Sequence, residues 1–334
     1  MHNYGVPTEA VRMALAFGII ISVLVYERWR FTGGGAVVAG YLGLFFDRPL
    51  YIFTTLAISI ITYQLVEHVL ARRMFLYGRR RAVVMVITGM TLQLLTGLVA
   101  YATRKDASWL IGLYGVGYVL PGLIAQDMER QGVGKTLLTV LGVSLLTFLL
   151  FKDILGIKAN MPVYWNSIAF EDQTIFYSYH TQLLTVAVVI SVNTSALLFE
   201  WTGLRSGGFL TAAYAALFVL EPLHIVFIIG VGVLVYLFVT RFLMRQTPIF
   251  GRTKFSMMVL TALVFTWALE YLSGVLTQNV FIPFAGFSII SPMIAALIAN
   301  DGERQGLRKT IGAVLICTIF VFSAVKGIDL LFIG

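Results

Sequence analysis

The residues best suited to chemistry occur twice. Asp127-x-Glu129-Arg130-Gln131-Gly132 returns as Asp301-x-Glu303-Arg304-Gln305-Gly306. Acids, an arginine and a carboxamide so close together offer ion pairing and directional hydrogen bonding. No nucleophile constellation accompanies them. Turn chemistry accounts for the glycine that closes each copy, but not for the retained order Glu-Arg-Gln. A short charged loop kept twice reads as a docking surface for another protein. A solvated turn preserved by duplication is the plainer alternative.

A second pair is Glu27 and Glu200, each at the end of an apolar run. A carboxylate at a helix C-terminus opposes the macrodipole, so capping does not explain it. Pairing with Arg28 or with the arginines of the next loop would, and the acid would then orient a basic site. That basic group is Arg72, Arg73, Arg79, Arg80 and Arg81, with Arg241, Arg245, Arg252 and Lys254 as its counterpart. It marks a cytoplasmic loop and can attract an anionic substrate or anionic lipid headgroups.

Other chemistries lack their parts. Gly134-Lys135-Thr136 ends like a phosphate-binding loop, but Glu129 stands where that loop needs glycine. Gly115-Val116-Gly117 lacks the third glycine of a dinucleotide fingerprint and suits helix packing instead. The histidines, His2, His68, His180 and His224, are dispersed and unrepeated, so no metal site is expected. His68 with Glu67 and Gln64 reads as a polar site or as a snorkelling helix end. A single cysteine, Cys317, allows no internal disulfide.

The elements that carry these residues are membrane helices. The 334 residues are 59% hydrophobic and 12% charged, whereas a soluble domain carries about a quarter charged. Apolar runs at 11–26, 50–70, 82–101, 108–124 and 135–151 recur as 181–199, 222–240, 255–275, 280–299 and 310–325. A short run, 36–46 or 209–220, lies between the first two of each series. Residues 1–8 lack the marks of a cleaved signal peptide, so the first run is expected to remain as a helix. The net charge of +8 fits basic cytoplasmic loops, and no nucleic-acid partner is expected.

The two series are a tandem duplication. At an offset of 173, Glu27 meets Glu200, Gly34 and Gly35 meet Gly207 and Gly208, and Pro49 meets Pro222. One residue further, the two charged motifs superpose, followed by Lys135-Thr136 on Lys309-Thr310. The expected domains are 1–151 and 181–334, joined by an extracytoplasmic linker at 152–180. Arginine placement puts the loops at 27–32, 71–81, 125–134, 200–206, 241–254 and 300–309 on the cytoplasmic side. The expectation is an all-α polytopic integral membrane protein with about 12 crossings, in two parallel six-crossing repeats. The second crossing of each repeat is short or broken. Run 36–46, between Gly33-Gly34-Gly35 and Asp47-Arg48-Pro49, spans only about 16 Å as a helix. It is a half-helix near a functional site or a bent helix.

The same residues carry a family resemblance. Glu27-Arg28, Gly40-Tyr41-Leu42, Leu76-Tyr77-Gly78-Arg79-Arg80, Ile87-Thr88-Gly89, Leu120-Pro121-Gly122-Leu123-Ile124-Ala125 and Glu129-Arg130-Gln131-Gly132-Val133 resemble the membrane subunit of poly-γ-glutamate synthase, the PgsC/CapC family. The first half carries the likeness over about residues 10–150 and the second, more weakly, over about 181–330. In the second half Tyr77-Gly78-Arg79-Arg80 becomes Phe250-Gly251-Arg252-Thr253, and Pro121-Gly122 becomes Ala295-Ala296.

The resemblance implies a non-catalytic subunit in a bacterial cytoplasmic membrane. It implies a cytoplasmic ATP-dependent amide ligase of the PgsB/CapB kind as partner, with ATP and Mg in the ligase and no cofactor in this chain. It also implies an extracytoplasmic PgsA/CapA-like subunit, and an anionic poly-γ-glutamate chain to be guided across the lipid bilayer. The alternative is a stand-alone secondary transporter of a small organic anion, which would hold paired ionisable residues near mid-membrane.

Overall fold

The computed structural model describes residues 8–35, 37–46, 48–76, 78–103, 117–158, 177–180, 183–247, 249–278 and 290–332. Tyr77, Asp47, residues 159–176 of the linker and the first parts of the runs 108–124 and 280–299 lie outside them. Two compact units are built on Glu9–Asn160 and on Met161–Gly334.

Each unit contains six helices among the described residues. The first has α1 (Thr8–Trp29), α2 (Val38–Gly43), α3 (Pro49–Arg73), α4 (Gly78–Thr103), α5 (Leu120–Gln131) and α6 (Val133–Lys158). The second has α7 (Leu184–Thr202), α8 (Thr211–Leu217), α9 (Pro222–Gln246), α10 (Gly251–Leu276), α11 (Ile290–Gln305) and α12 (Leu307–Phe332). Seven of the twelve, α3, α4, α6, α7, α9, α10 and α12, contain stretches long and apolar enough to cross a bilayer. The chain is a polytopic helical membrane protein.

The short second element is present in both units. Helices α2 and α8 have six and seven residues, about 9–11 Å of helix, so neither crosses a bilayer alone. Proline at the first position then starts α3 and α9, where its missing N–H costs nothing. Helix α2 is enclosed: Val38 and Leu42 bury against Tyr51, Ile52 and Leu56 of α3, Ile124 and Met128 of α5 and Val140 of α6. Residues Gly34, Gly35, Gly207 and Gly208 all have positive φ, between 69° and 95°. Only glycine enters that region freely, which is why the pair is retained before each short helix.

Within the first unit, α4 and α5 meet through glycine. A Cβ on Gly122 of α5 would lie 2.5 Å from Val86 Cα of α4, and one on Gly89 would lie 2.6 Å from Gly122 N. Ala262 and Ala296 replace Gly89 and Gly122 in the second unit and are fully buried. Where the first unit has Pro121-Gly122, the second therefore buries alanine methyl groups at the helix contact.

One expected boundary is corrected. The loops assigned to 125–134 and 300–309 are mostly helix. Helix α5 runs to Gln131 and α11 to Gln305, and a single glycine, Gly132 or Gly306, joins each to the next helix. Their charges do not end the helices because the acids turn inward.

Candidate functional site

The inward turn of Asp127 builds a latch. Its Oδ2 accepts the Gly34 N–H at 2.9 Å, across 93 residues of sequence. One helical turn on, Gln131 Oε1 accepts the Thr32 N–H at 2.9 Å, while Gln131 Nε2 donates to the Thr32 carbonyl. The same Nε2 donates to Thr136 Oγ1 at 3.0 Å, and Thr136 Oγ1 donates to the Gly132 carbonyl at 2.8 Å. The carboxamide thus satisfies both backbone groups of Thr32, which the turn out of α1 would otherwise leave open. On the next face of α5, Glu129 accepts Arg81 Nη1 at 3.0 Å, and Arg81 also pairs with Glu67 of α3. One end of the unit is fastened through α5 to the loop after α1 and to α3, α4 and α6.

The second unit repeats the carboxamide and glutamate contacts of the latch. Gln305 Oε1 accepts the Arg205 N–H at 2.8 Å, and its Nε2 donates to the Arg205 carbonyl at 2.6 Å and to Thr310 Oγ1 at 2.9 Å. Lys254 Nζ donates to Glu303 Oε2 at 2.6 Å, in the role of Arg81 and Glu129. Asp301 Oδ1 lies 3.8 Å from Arg205 Nη1.

Burial shows what each charge does. Asp127 is 2% exposed and Asp301 6%. A buried carboxylate carries a desolvation cost of several kcal/mol, so it persists only where donors meet it. These two acids are internal braces, and a docking surface cannot include them. Gln131 and Gln305 are half-buried and committed to the latch; Gly132 and Gly306 are exposed links with positive φ. Arg130 and Arg304 point the other way. Both are exposed, and neither makes an ion pair or hydrogen bond among the described residues.

The remaining sequence-derived residues divide by position. Glu27 and Arg28 end α1, beside the latched loop, and both are exposed. Arg79, Arg80 and Arg81 begin α4 at the same end. Glu200, exposed, ends α7, and Arg252 and Lys254 begin α10. Pro49 and Pro222 start α3 and α9, the opposite ends of the helices whose C-termini reach the latch end, and they do not join the charged group.

Sequence reasoning missed several partners. Glu67, near the end of α3, is an ion-pair partner of Arg81. Two histidines form carboxylate pairs elsewhere in the second unit. His180 Nδ1 lies 2.7 Å from Asp329, which also accepts from Lys326 at 2.9 Å, and His224 Nε2 lies 2.7 Å from Glu221. Beside them Tyr179 O–H donates to the Ala213 carbonyl at 3.0 Å, and burial raises the pKa of that phenol, with Tyr214 adding to it. Arg12 of α1 and Glu270 of α10 are buried. The only signal for these two was a lone charge inside an apolar run.

A family model described as "Capsule biosynthesis CapC" matches the chain twice, over residues 17–137 and 175–311. The chain belongs to the CapC capsule-biosynthesis family. Both matched segments end one residue beyond the threonine of a latch, Thr136 or Thr310. The "Capsule biosynthesis protein CapC" of Bacillus anthracis is 38% identical over 136 residues, 41% of this chain and 89% of the relative. The "PGA biosynthesis protein CapC" of Bacillus subtilis (strain 168) is 35% identical over 130 residues, 38% of this chain and 85% of the relative. Nearly a whole CapC protein thus corresponds to less than half of this chain, which holds two such units in tandem. No solved structure matches the chain significantly.

Proposed function

We propose that this chain is the non-catalytic membrane subunit of a poly-γ-glutamate synthesis and export complex. It holds a cytoplasmic ATP-dependent amide ligase at the latch end of each unit and guides the anionic polymer across the cytoplasmic membrane of a bacterium. ATP and Mg belong to the ligase, and a PgsA/CapA-like subunit works on the far side. Family membership supports a place in capsule biosynthesis. One observation carries the docking role. In both units the acids of the motif are engaged inside the fold, while its arginine stands exposed at the helix end. A partner therefore meets a cationic surface on a rigid support. Arg28, Arg80 and Lys135 extend that surface in the first unit, and Arg308 and Lys309 in the second.

Glu270, buried inside the bilayer-length helix α10, favours a second reading, a stand-alone anion transporter, because buried charges inside membrane helices mark ion pathways. The test is to purify the tagged chain from its native host and assay the same sample twice. Recovery of an ATP-dependent amide ligase, with no anion uptake by the chain alone in vesicles, supports the subunit. Ion-coupled uptake with no ligase supports the transporter.

A further inference from the structure

Four cations at the latch end belong to neither latch. Arg72 and Arg73 lie in the last turn of α3, and Arg241 and Arg245 in the last turns of α9. All four are exposed, and none makes an ion pair or hydrogen bond among the described residues. No acid lies between His68 and Arg81, or between Phe238 and Lys254, to neutralise them. Both helices widen into a π turn at this point, Val66–Leu70 in α3 and Phe238–Leu243 in α9. An inserted π turn rotates everything after it around the helix axis, and such turns recur at functional sites.

The apolar neighbours of these arginines decide what they meet. Val69, Met74 and Phe75 are exposed beside Arg72 and Arg73, with Phe75 at 88%. Phe238, Phe242 and Phe250 are exposed around Arg241 and Arg245, with Phe250 at 72%. The exposed face of α3 continues this apolar surface through Phe53 and Ile61, and that of α9 through Val226 and Leu234. Helix-dipole complementarity alone would place arginines here. It would not place a bare phenylalanine next to them in both units. A soluble acidic partner calls for cations without the apolar flank. A lipid presents an anionic phosphate and an acyl chain side by side.

We propose that each unit binds the phosphodiester headgroup of an anionic phospholipid, through Arg72 and Arg73 in the first and Arg241 and Arg245 in the second. The full chain is reconstituted in nanodiscs of phosphatidylcholine with phosphatidylglycerol, extracted gently, and its retained lipid counted by native mass spectrometry. A juxtamembrane cation is worth about fivefold in attraction of an anionic surface. Phosphatidylglycerol is therefore expected to outcompete phosphatidylcholine by roughly twentyfold per site. Arg72→Gln/Arg73→Gln should remove about half of the retained phosphatidylglycerol, and adding Arg241→Gln/Arg245→Gln should remove the rest. Lysine at all four positions should restore most of it. Thermal stability should hold in every variant, because the latches are untouched, and millimolar inorganic phosphate should not compete. Equal retention by wild type and the fourfold glutamine variant overturns the proposal. So does displacement by inorganic phosphate, which makes the site one for a free ion. Loss of poly-γ-glutamate capture with unchanged lipid selectivity assigns these arginines to the polymer instead.

Discussion

Replacing Gln131 with leucine tests the latch where its geometry is most explicit. The change keeps side-chain volume and removes hydrogen bonds to the Thr32 N–H, the Thr32 carbonyl and Thr136 Oγ1. A neutral hydrogen bond contributes about 0.5–1.5 kcal/mol net, and a buried group left unsatisfied costs about 1–3 kcal/mol. Thr32 and Gln131 are half-buried, so water recovers part of the loss, and the expected total is about 2–3 kcal/mol. That corresponds to a roughly 30- to 150-fold rise in local opening. The assay is amide hydrogen exchange by mass spectrometry on peptides covering residues 26–35, in the detergent-solubilised full chain. Protection there should fall by that factor, while the centre of α6 stays unchanged. Gln131→Glu keeps an acceptor for the Thr32 N–H but sets a carboxylate against the Thr32 carbonyl, so it should lose at least as much. Arg130→Ala, one residue away and exposed, should change nothing. Unchanged exchange in Gln131→Leu, or an equal rise in Arg130→Ala, would refute the latch.

Three further outcomes are expected. Gly34→Ala combines positive-φ strain with a Cβ 2.8 Å from Val38 Cγ1 and should cost about 2–4 kcal/mol in thermal or denaturant unfolding; Gly35→Ala faces open space and should cost about 1–2. Gly122→Ala should destabilise the first unit by about 1–3 kcal/mol, because the new methyl meets Val86 backbone, while Ala296→Gly should cost the second unit only about 1. A cysteine at position 160 should react with an impermeant thiol reagent on intact cells, whereas cysteines at positions 80 and 131 should react only after permeabilisation; the reverse pattern would invert the topology.

The membrane class, the duplication and the short second element were legible because composition, a fixed offset and glycine-flanked brevity survive in one dimension. The latch was not. Asp127, Glu129 and Gln131 read as a polar loop because charges after an apolar run usually mark the membrane surface. Only the fold brings the Gly34 N–H to Asp127, at a separation of 93 residues. The shared task of Arg81 and Lys254, pairing with Glu129 and Glu303, was also hidden. The sequence comparison of Tyr77-Gly78-Arg79-Arg80 with its copy stops one residue short of both, and an arginine-to-lysine change counts as a mismatch although each pairs with the glutamate of its own motif. The exposed arginine within each motif was legible as a type, but its sidedness was not. It emerges only once α5 and α11 continue as helices, with their acids facing in.

The docking role rests on Arg130 and Arg304, and the most direct measurement is the amount of ligase recovered per chain. Wild type, each single alanine variant and Arg130→Ala/Arg304→Ala are purified at matched expression, with thermal stability read alongside. Truncating one partner of a charge pair desolvated in an interface costs about 2–5 kcal/mol, whereas an exposed pair is worth less than about 1 kcal/mol. Each single change should therefore weaken ligase recovery, and the double change should nearly abolish it at unaltered stability, with polymer output falling in step. A double variant that keeps its full complement of ligase contradicts the account.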